Sequence, residues 1–216
     1  MLPPTPRTDP SLVTGVLVRP ATRLDAARVS ELIVDTPGGL AEVVGGRDGA
    51  LRIVRKTFVS PGSFYGYPYT LVAEQSGTVV GEMVRLSGST WRRLWGRTGL
   101  AMLVASMPRD VWHLAWRGSL AGRVMAPIAG DVLYVVSLSV AARKRGLGIG
   151  ATLLARAVEE AAAAGLRAVA LDVAVSNNDA IRFYLREGFA TVSERRHPVA
   201  RGLPAGGSIR MERPTR

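Results

Sequence analysis

Hydrophobic positions change their period several times along the chain, and each change marks an element. VLVRPA, residues 16–21, is a short apolar run closed by Pro20 and predicts a strand. Leu24, Ala27, Leu32 and Ile33 then recur at near-helical spacing. Gly38, Gly39, Gly45 and Gly46 isolate a short helix, LAEVV, and ALRIVRKTFV predicts another, ended by SPG. YTLVAEQSGTVVGEMVRLSG holds two β-rich runs around Gln75–Ser76–Gly77, the pattern of a hairpin. VLYVVSLSV, residues 132–140, predicts a strand, and TLLARAVEEAAAAG an alanine-rich helix ended by Gly165. LRAVALDVAV predicts a strand and NDAIRFYLREG a helix from about Asp179 to Gly188. FATVSERRHPV and SIRMERP close the chain as two strands around a glycine-rich turn. The order is mixed α/β, with no internal repeat.

One segment interrupts that order. Residues 90–130 hold all four tryptophans in two i,i+4 pairs, Trp91/Trp95 and Trp112/Trp116, interleaved with Arg92, Arg93, Arg97, Arg109, Arg117 and Arg123. Residues four apart share a helical face, so this reads as an inserted helical hairpin broken at Met107–Pro108. Its apolar face either packs on the sheet or serves as a lid, a homodimer surface or an interfacial helix. Residues 1–14, with four prolines among the first ten, read as a disordered lead, and residues 15–216 as a single domain.

Composition narrows the chemistry. With no cysteine, a disulfide framework, a thiolate metal site and a cysteine nucleophile are all excluded. The two histidines, His113 and His197, argue against a histidine-built metal site, and none is expected. The net charge is +11, and of 28 basic residues two are lysines, Lys56 and Lys144; the rest are arginine. That balance reads as the bias of a GC-rich bacterial genome, and it also suits an acidic cofactor. No DNA-reading element accompanies it, so nucleic acid is not an expected partner. No apolar run is long enough for a transmembrane helix, and no signal-peptide core opens the chain; a cytoplasmic protein is expected.

RKRGLGIGATLL, residues 143–154, is the strongest local signal: three glycines at spacing two, behind three cations and ahead of an apolar run. A Walker loop would need a lysine after the last glycine, and there is none. Gly146, Gly148 and Ala151 fit the dinucleotide fingerprint, with Asp172 as the ribose acid, but the loop comes too late for repeated βαβ units. The remaining reading is a phosphate ester cradled by backbone N–H groups at a helix N-terminus.

Two motifs here resemble the GCN5-related N-acetyltransferase (GNAT) superfamily. That family's loop reads [QR]-x-x-G-x-[GA], and Arg145 to Gly150 supply it; Arg143, Gly146 and Gly148 fit an overlapping copy. The second signature, N-x-x-A-x-x-x-Y-x-x-x-G-F, is met by Asn177, Ala180, Tyr184, Gly188 and Phe189. The resemblance covers about Val132 to Glu194 closely and skips residues 90–130. It implies an α+β fold, a mostly antiparallel central sheet flanked by helices, with the helical segment inserted. It implies acetyl-CoA as cosubstrate, with Arg143, Arg145, Gly146, Leu147, Gly148, Ile149, Gly150 and Ala151 around the pyrophosphate. Leu138, Ser139 and Val140 would pair with the pantetheine from a splayed strand, and Asn177 and Ala180 would flank its arm. Tyr184 would face the thioester sulfur, donating to the thiolate as an amine attacks.

Many relatives carry a basic carboxylate on the strand before the loop. The matching run Tyr134–Val135–Val136–Ser137 has none, which leaves Glu82, Asp131 or water. GSFYGYPYT, residues 62–70, suggests an aromatic wall near the acceptor, suited to an apolar or cationic amine. Alternative functions are a longer-chain acyl-CoA transferase, its channel lined by residues 90–130, and a non-catalytic acyl-CoA-binding regulatory module.

Overall fold

The turn at Ser76–Gly77 sets the architecture. Both residues have positive φ, 51° and 75°, the primed geometry that matches the twist of a tight hairpin. It joins β2 (Thr70–Gln75) to β3 (Thr78–Ser87). The computed structural model of the chain describes residues 15–36, 40–44, 46–60, 62–108, 111, 127–196 and 207–216. The expected N-terminal lead, the second arm of the insertion with Trp112, His113 and Trp116, and His197 fall outside them.

Around the hairpin a seven-stranded sheet runs in the order β1-β2-β3-β4-β5-β7-β6. Its other strands are β1 (Val16–Pro20), β4 (Val132–Val140), β5 (Ala168–Ala174), β6 (Ala190–Arg196) and β7 (Gly207–Pro214). Every neighbouring pair is antiparallel except β4 and β5, which run parallel and need a helical crossover. That crossover is α5 (Ile149–Ala163), which buries Ile149, Leu153, Leu154, Ala157 and Ala161 on one face of the sheet. Arg85 on β3 reaches Glu160 on α5 at 2.9 Å. On this same face α6 (Asn178–Arg186) adds Ile181, Phe183 and Tyr184 to the core.

α1 (Ala26–Val34), α2 (Leu40–Val44) and α3 (Arg47–Phe58) cover the opposite face over Val72 and Val84. The helix expected from Leu24 opens as a 3₁₀ turn, Arg23–Asp25, because Asp25 accepts from Thr22 N–H at 2.7 Å and closes the first turn early. The first arm of the insertion is α4 (Gly88–Ala105), which follows β3 without a loop; Ser87 caps it by accepting from Thr90 N–H. A Cβ on Gly88 would lie 1.8 Å from Ala129 O, so only glycine lets the two ends of the insertion meet. Trp91 is buried against Phe64 (ring centroids 4.3 Å) and Tyr134 (5.2 Å), whereas Trp95 is 49% exposed. The packing expected of this face therefore holds for its first tryptophan.

Candidate functional site

β4 and β5 pair only over Val132–Val135 and Ala168–Leu171. Beyond those pairs β4 continues to Val140 while β5 turns its partnership to β7 alone. The two parallel strands thus part in the middle of the sheet, and one edge of β4 from Val136 onward loses its strand neighbour. Ala141 N–H donates to Val80 O on the β3 side at 2.8 Å. Strand alternation then turns the N–H and C=O groups of Val140 and Leu138 toward the opening and those of Ser139 toward β3. The Val140 carbonyl accepts from Arg145 Nε at 3.0 Å, so Arg145 braces the strand end against the loop.

That loop leads into the N-terminus of α5. Gly146 and Gly148 have φ of 78° and 80°, conformations that a side chain disfavours. The third glycine of the motif has a different task. Gly150 lies inside the helix, where a Cβ would meet the Phe183 ring at 3.1 Å, so it admits the close approach of α6. The helical ladder starts at Thr152 N–H donating to Gly148 O, which leaves the N–H groups of Ile149, Gly150 and Ala151 ahead of it. Arg143 and Leu147 are exposed beside them. Opening and loop together present free backbone donors at the positive end of a 15-residue helix, a cradle suited to a phosphate ester.

Asn177 caps α6: its Oδ1 accepts from Ala180 N–H at 3.1 Å. The cap fixes the helix that carries Tyr184, whose ring packs on Phe183 and Phe189 at 5.2 and 5.7 Å. Burial pushes the Tyr184 phenol well above its ordinary range, and the Glu82 charge adds to the effect. The phenol therefore keeps its proton throughout the neutral range.

Glu82 enters from β3, in register with Ser139 of β4. Its side chain is fully buried; Oε1 accepts from Ser137 Oγ at 2.7 Å, and Oε2 has no partner. Burial pushes its carboxyl up to about 8, and the Ser137 hydrogen bond holds it back. Burial and the same carboxylate push the Tyr65 phenol up to about 12. Asp131, the other carboxylate of the sequence reading, is exposed at the far end of β4 and pairs with Arg167 at 3.3 Å.

Asp172 and the aromatic segment resolve differently from their sequence patterns. The Asp172 carboxylate is buried under Arg210 (2.7 and 2.8 Å) and Tyr134 Oη (2.9 Å), which removes it as a ribose ligand. Tyr134 is buried and its phenol lies well above its ordinary range, first because of burial and then because of Asp172. In GSFYGYPYT, Phe64 and Tyr65 pack against each other in a tilted pair with centroids 4.8 Å apart, while Tyr67 turns away to Phe58 and Arg23. Among the described residues no group of three or more acidic, histidine or cysteine side chains could hold a metal, and no helix is long and apolar enough to cross a membrane.

Comparison with known proteins agrees with this geometry. Residues 59–189 match the model of the acetyltransferase (GNAT) family. No curated protein matches the sequence significantly. Among solved structures, an acetyltransferase is similar over 93% of this chain and 100% of its own, with 22% identity and a TM-score of 0.67. An N-acetyltransferase from Staphylococcus aureus Mu50 covers 91% of this chain and 99% of its own, with 19% identity and a TM-score of 0.67. The NatC complex bound to Gag peptide and CoA contains a chain with 16% identity and a TM-score of 0.56, covering 93% of this chain and 99% of that one. At these identities the likeness is one of fold.

Proposed function

This chain belongs to the acetyltransferase (GNAT) family, and from that premise we propose that it transfers the acetyl group of acetyl-CoA to an amine. The observation that carries the reading is the parting of β4 from β5 beyond Val135 and Leu171, directly beside the free N–H groups at the start of α5. A linear pantetheine needs a slot with backbone partners, and a pyrophosphate needs clustered donors. The two lie end to end here. Leu138 and Val140 would pair with the pantetheine amides, and the N–H groups of residues 148–151 would hold the pyrophosphate. Gly146 and Gly148 shape that turn, Arg145 braces it, and Arg143 and Leu147 stand at its rim. Asn177 and Ala180 would set the side wall of the slot through the cap of α6.

Tyr184 donates its phenol hydrogen bond to the sulfur as the carbon–sulfur bond breaks. Its raised pKa makes complete transfer to a thiolate near 8.5 uphill, so stabilising the departing charge is its larger contribution. The acceptor approaches from the face that carries Glu82, Tyr65 and Phe64. The Phe64 ring stacks in turn on the half-exposed Trp95, at 6.1 Å, so the wall extends from the buried carboxyl to the surface. Such a wall suits an amine with an apolar body.

The test is a thermal melt of protein freed of carried-over CoA, with and without acetyl-CoA. At about 100 times Kd, linkage stabilises the fold by roughly 2.7 kcal/mol. An unmoved melt overturns the reading. A screen of amines with thiol release as readout then finds the acceptor.

A further inference from the structure

Glu82 is the one buried carboxylate of the site whose chemistry remains unassigned. It sits on β3, and Val84 and Leu86, two and four residues on, belong to the face covered by α1, α3 and α4. Tyr184 comes from the opposite face, in the cluster under α5 and α6. The two are within electrostatic reach of each other, since the Glu82 charge raises the Tyr184 phenol. Glu82 has one hydrogen-bond donor, Ser137, at one oxygen, and its other oxygen is buried without a partner. A buried acceptor left unpaired is costly, and such a cost persists where a ligand completes the bond.

We infer that Glu82 is the catalytic base of this site, its Oε2 receiving the proton of the amine as the amine attacks the thioester. The inference rests on the transfer reading above. The step balances around two groups. The neutral amine's nitrogen forms the C–N bond and gives one proton to Glu82. The C–S bond breaks while the Tyr184 hydroxyl donates its hydrogen bond to the sulfur and stabilises the departing charge. The thiolate then takes up the proton that Glu82 received, so both residues end as they began, and the products are an amide and free thiol. Ser137 acts as the positioning residue, fixing the carboxyl so that Oε2 is the free oxygen.

The groups facing Glu82 fix how it titrates. Ser137 on β4 lowers its pKa, and the phenols of Tyr65 and Tyr184 stay neutral around it. The Asp172–Arg210 pair on the same face of the sheet holds its opposite charges together at 2.7 Å. With the carboxyl pushed up to about 8, the ionised base accumulates as pH rises through that value. The effect on stability has the opposite sense. An unfolded glutamate near 4.5 has lost its proton where the native one keeps it, so stability declines between about 4.5 and about 8.

The experiment compares wild type, Glu82→Gln and Ser137→Ala by acetyl-CoA melts and by acetyl transfer to a panel of aliphatic and arylalkyl primary amines, phenethylamine among them, across pH. Glu82→Gln should keep its acetyl-CoA melt shift, lose roughly 10²- to 10⁴-fold in kcat, and lose the rise in rate near pH 8. It should also lose the decline of stability with pH. Ser137→Ala should move the rise to higher pH, because the bond that lowers the pKa is gone. Glu82→Gln that keeps the wild-type rate and pH profile overturns the role of Glu82 while leaving the transfer reading intact. Glu82→Gln that no longer binds acetyl-CoA makes the residue structural and overturns it as well. Wild type that binds acetyl-CoA but acetylates none of the amines overturns the transfer reading, and with it any base.

Discussion

Arg210→Met isolates the energetics of the buried ion pair that stands where the sheet begins to open. Asp172 is the first β5 residue beyond the last pair with β4, and it pairs with Arg210 across the β5–β7 ladder. Their side chains are 9% and 5% exposed. Arg210 donates Nε and Nη2 to the two carboxylate oxygens, donates Nη1 to Pro127 O at 3.2 Å, and lies over the Tyr134 ring at 5.4 Å. Methionine fills much of the same space but leaves the carboxylate buried with only the Tyr134 hydroxyl. Removing one partner of such a pair costs about 3–5 kcal/mol, because the remaining charge is uncompensated. For a chain of this size each kcal/mol moves Tm by about 2–4 °C, so the melt should fall by roughly 6–20 °C. Arg156→Ala is the control: its pair with Glu159 is 54% and 66% exposed, which places it at about 0–1 kcal/mol. The assay is reversible thermal or urea unfolding of both variants and of Asp172→Asn/Arg210→Met. That double variant should recover much of the loss, since an amide still accepts from Tyr134 and no charge is stranded. If Arg210→Met melts no lower than Arg156→Ala, burial is not what gives the pair its value, and the reasoning fails.

Two further outcomes follow from the loop and the phenol. Gly148→Val should weaken acetyl-CoA binding far more than Arg143→Ala, read by calorimetric titration, because the valine opposes a φ of 80° that the turn requires, whereas Arg143 is a solvated cation; equal losses would mean that the loop does not act through its backbone. Tyr184→Phe should keep its acetyl-CoA affinity and lose about 10²-fold in kcat, the low end for an acid catalyst because burial makes the phenol a poor proton donor. Unchanged turnover where chemistry limits the rate would reduce the ring to packing.

The elements were readable wherever a local rule acted alone. The Ser76–Gly77 turn, the Gly165 stop and the apolar stripe of α5 each declare themselves within a few residues. The glycine loop was readable as a cradle, yet its three glycines looked alike in the sequence. Two are demanded by backbone φ and the third by the Phe183 ring, which is distant in sequence. Asp172 misled for the same reason. Its spacing from the loop matches a ribose acid, but its partners, Tyr134 and Arg210, are each 38 residues away. Long-range pairing decides a carboxylate's task, and nothing local records it.

Glu82, the base we infer, lies where a motif on a single strand does not reach. The strand before the loop carries Tyr134–Val135–Val136–Ser137, with no carboxylate. A sheet is two-dimensional, however, and a neighbouring strand offers a second position at the same depth, about 5 Å to the side. The register that sets Glu82 opposite Ser139 makes β3 that neighbour, and the offset is within the reach of a glutamate side chain. What the chemistry needs is a desolvated acceptor oxygen at the opening, not a particular strand to carry it. A hydroxyl on β4 completes the arrangement, because Ser137 holds one oxygen and leaves the other free. The missing β4 carboxylate and the buried β3 carboxylate therefore belong together: the base we infer would act from the strand beside the one that carries Ser137.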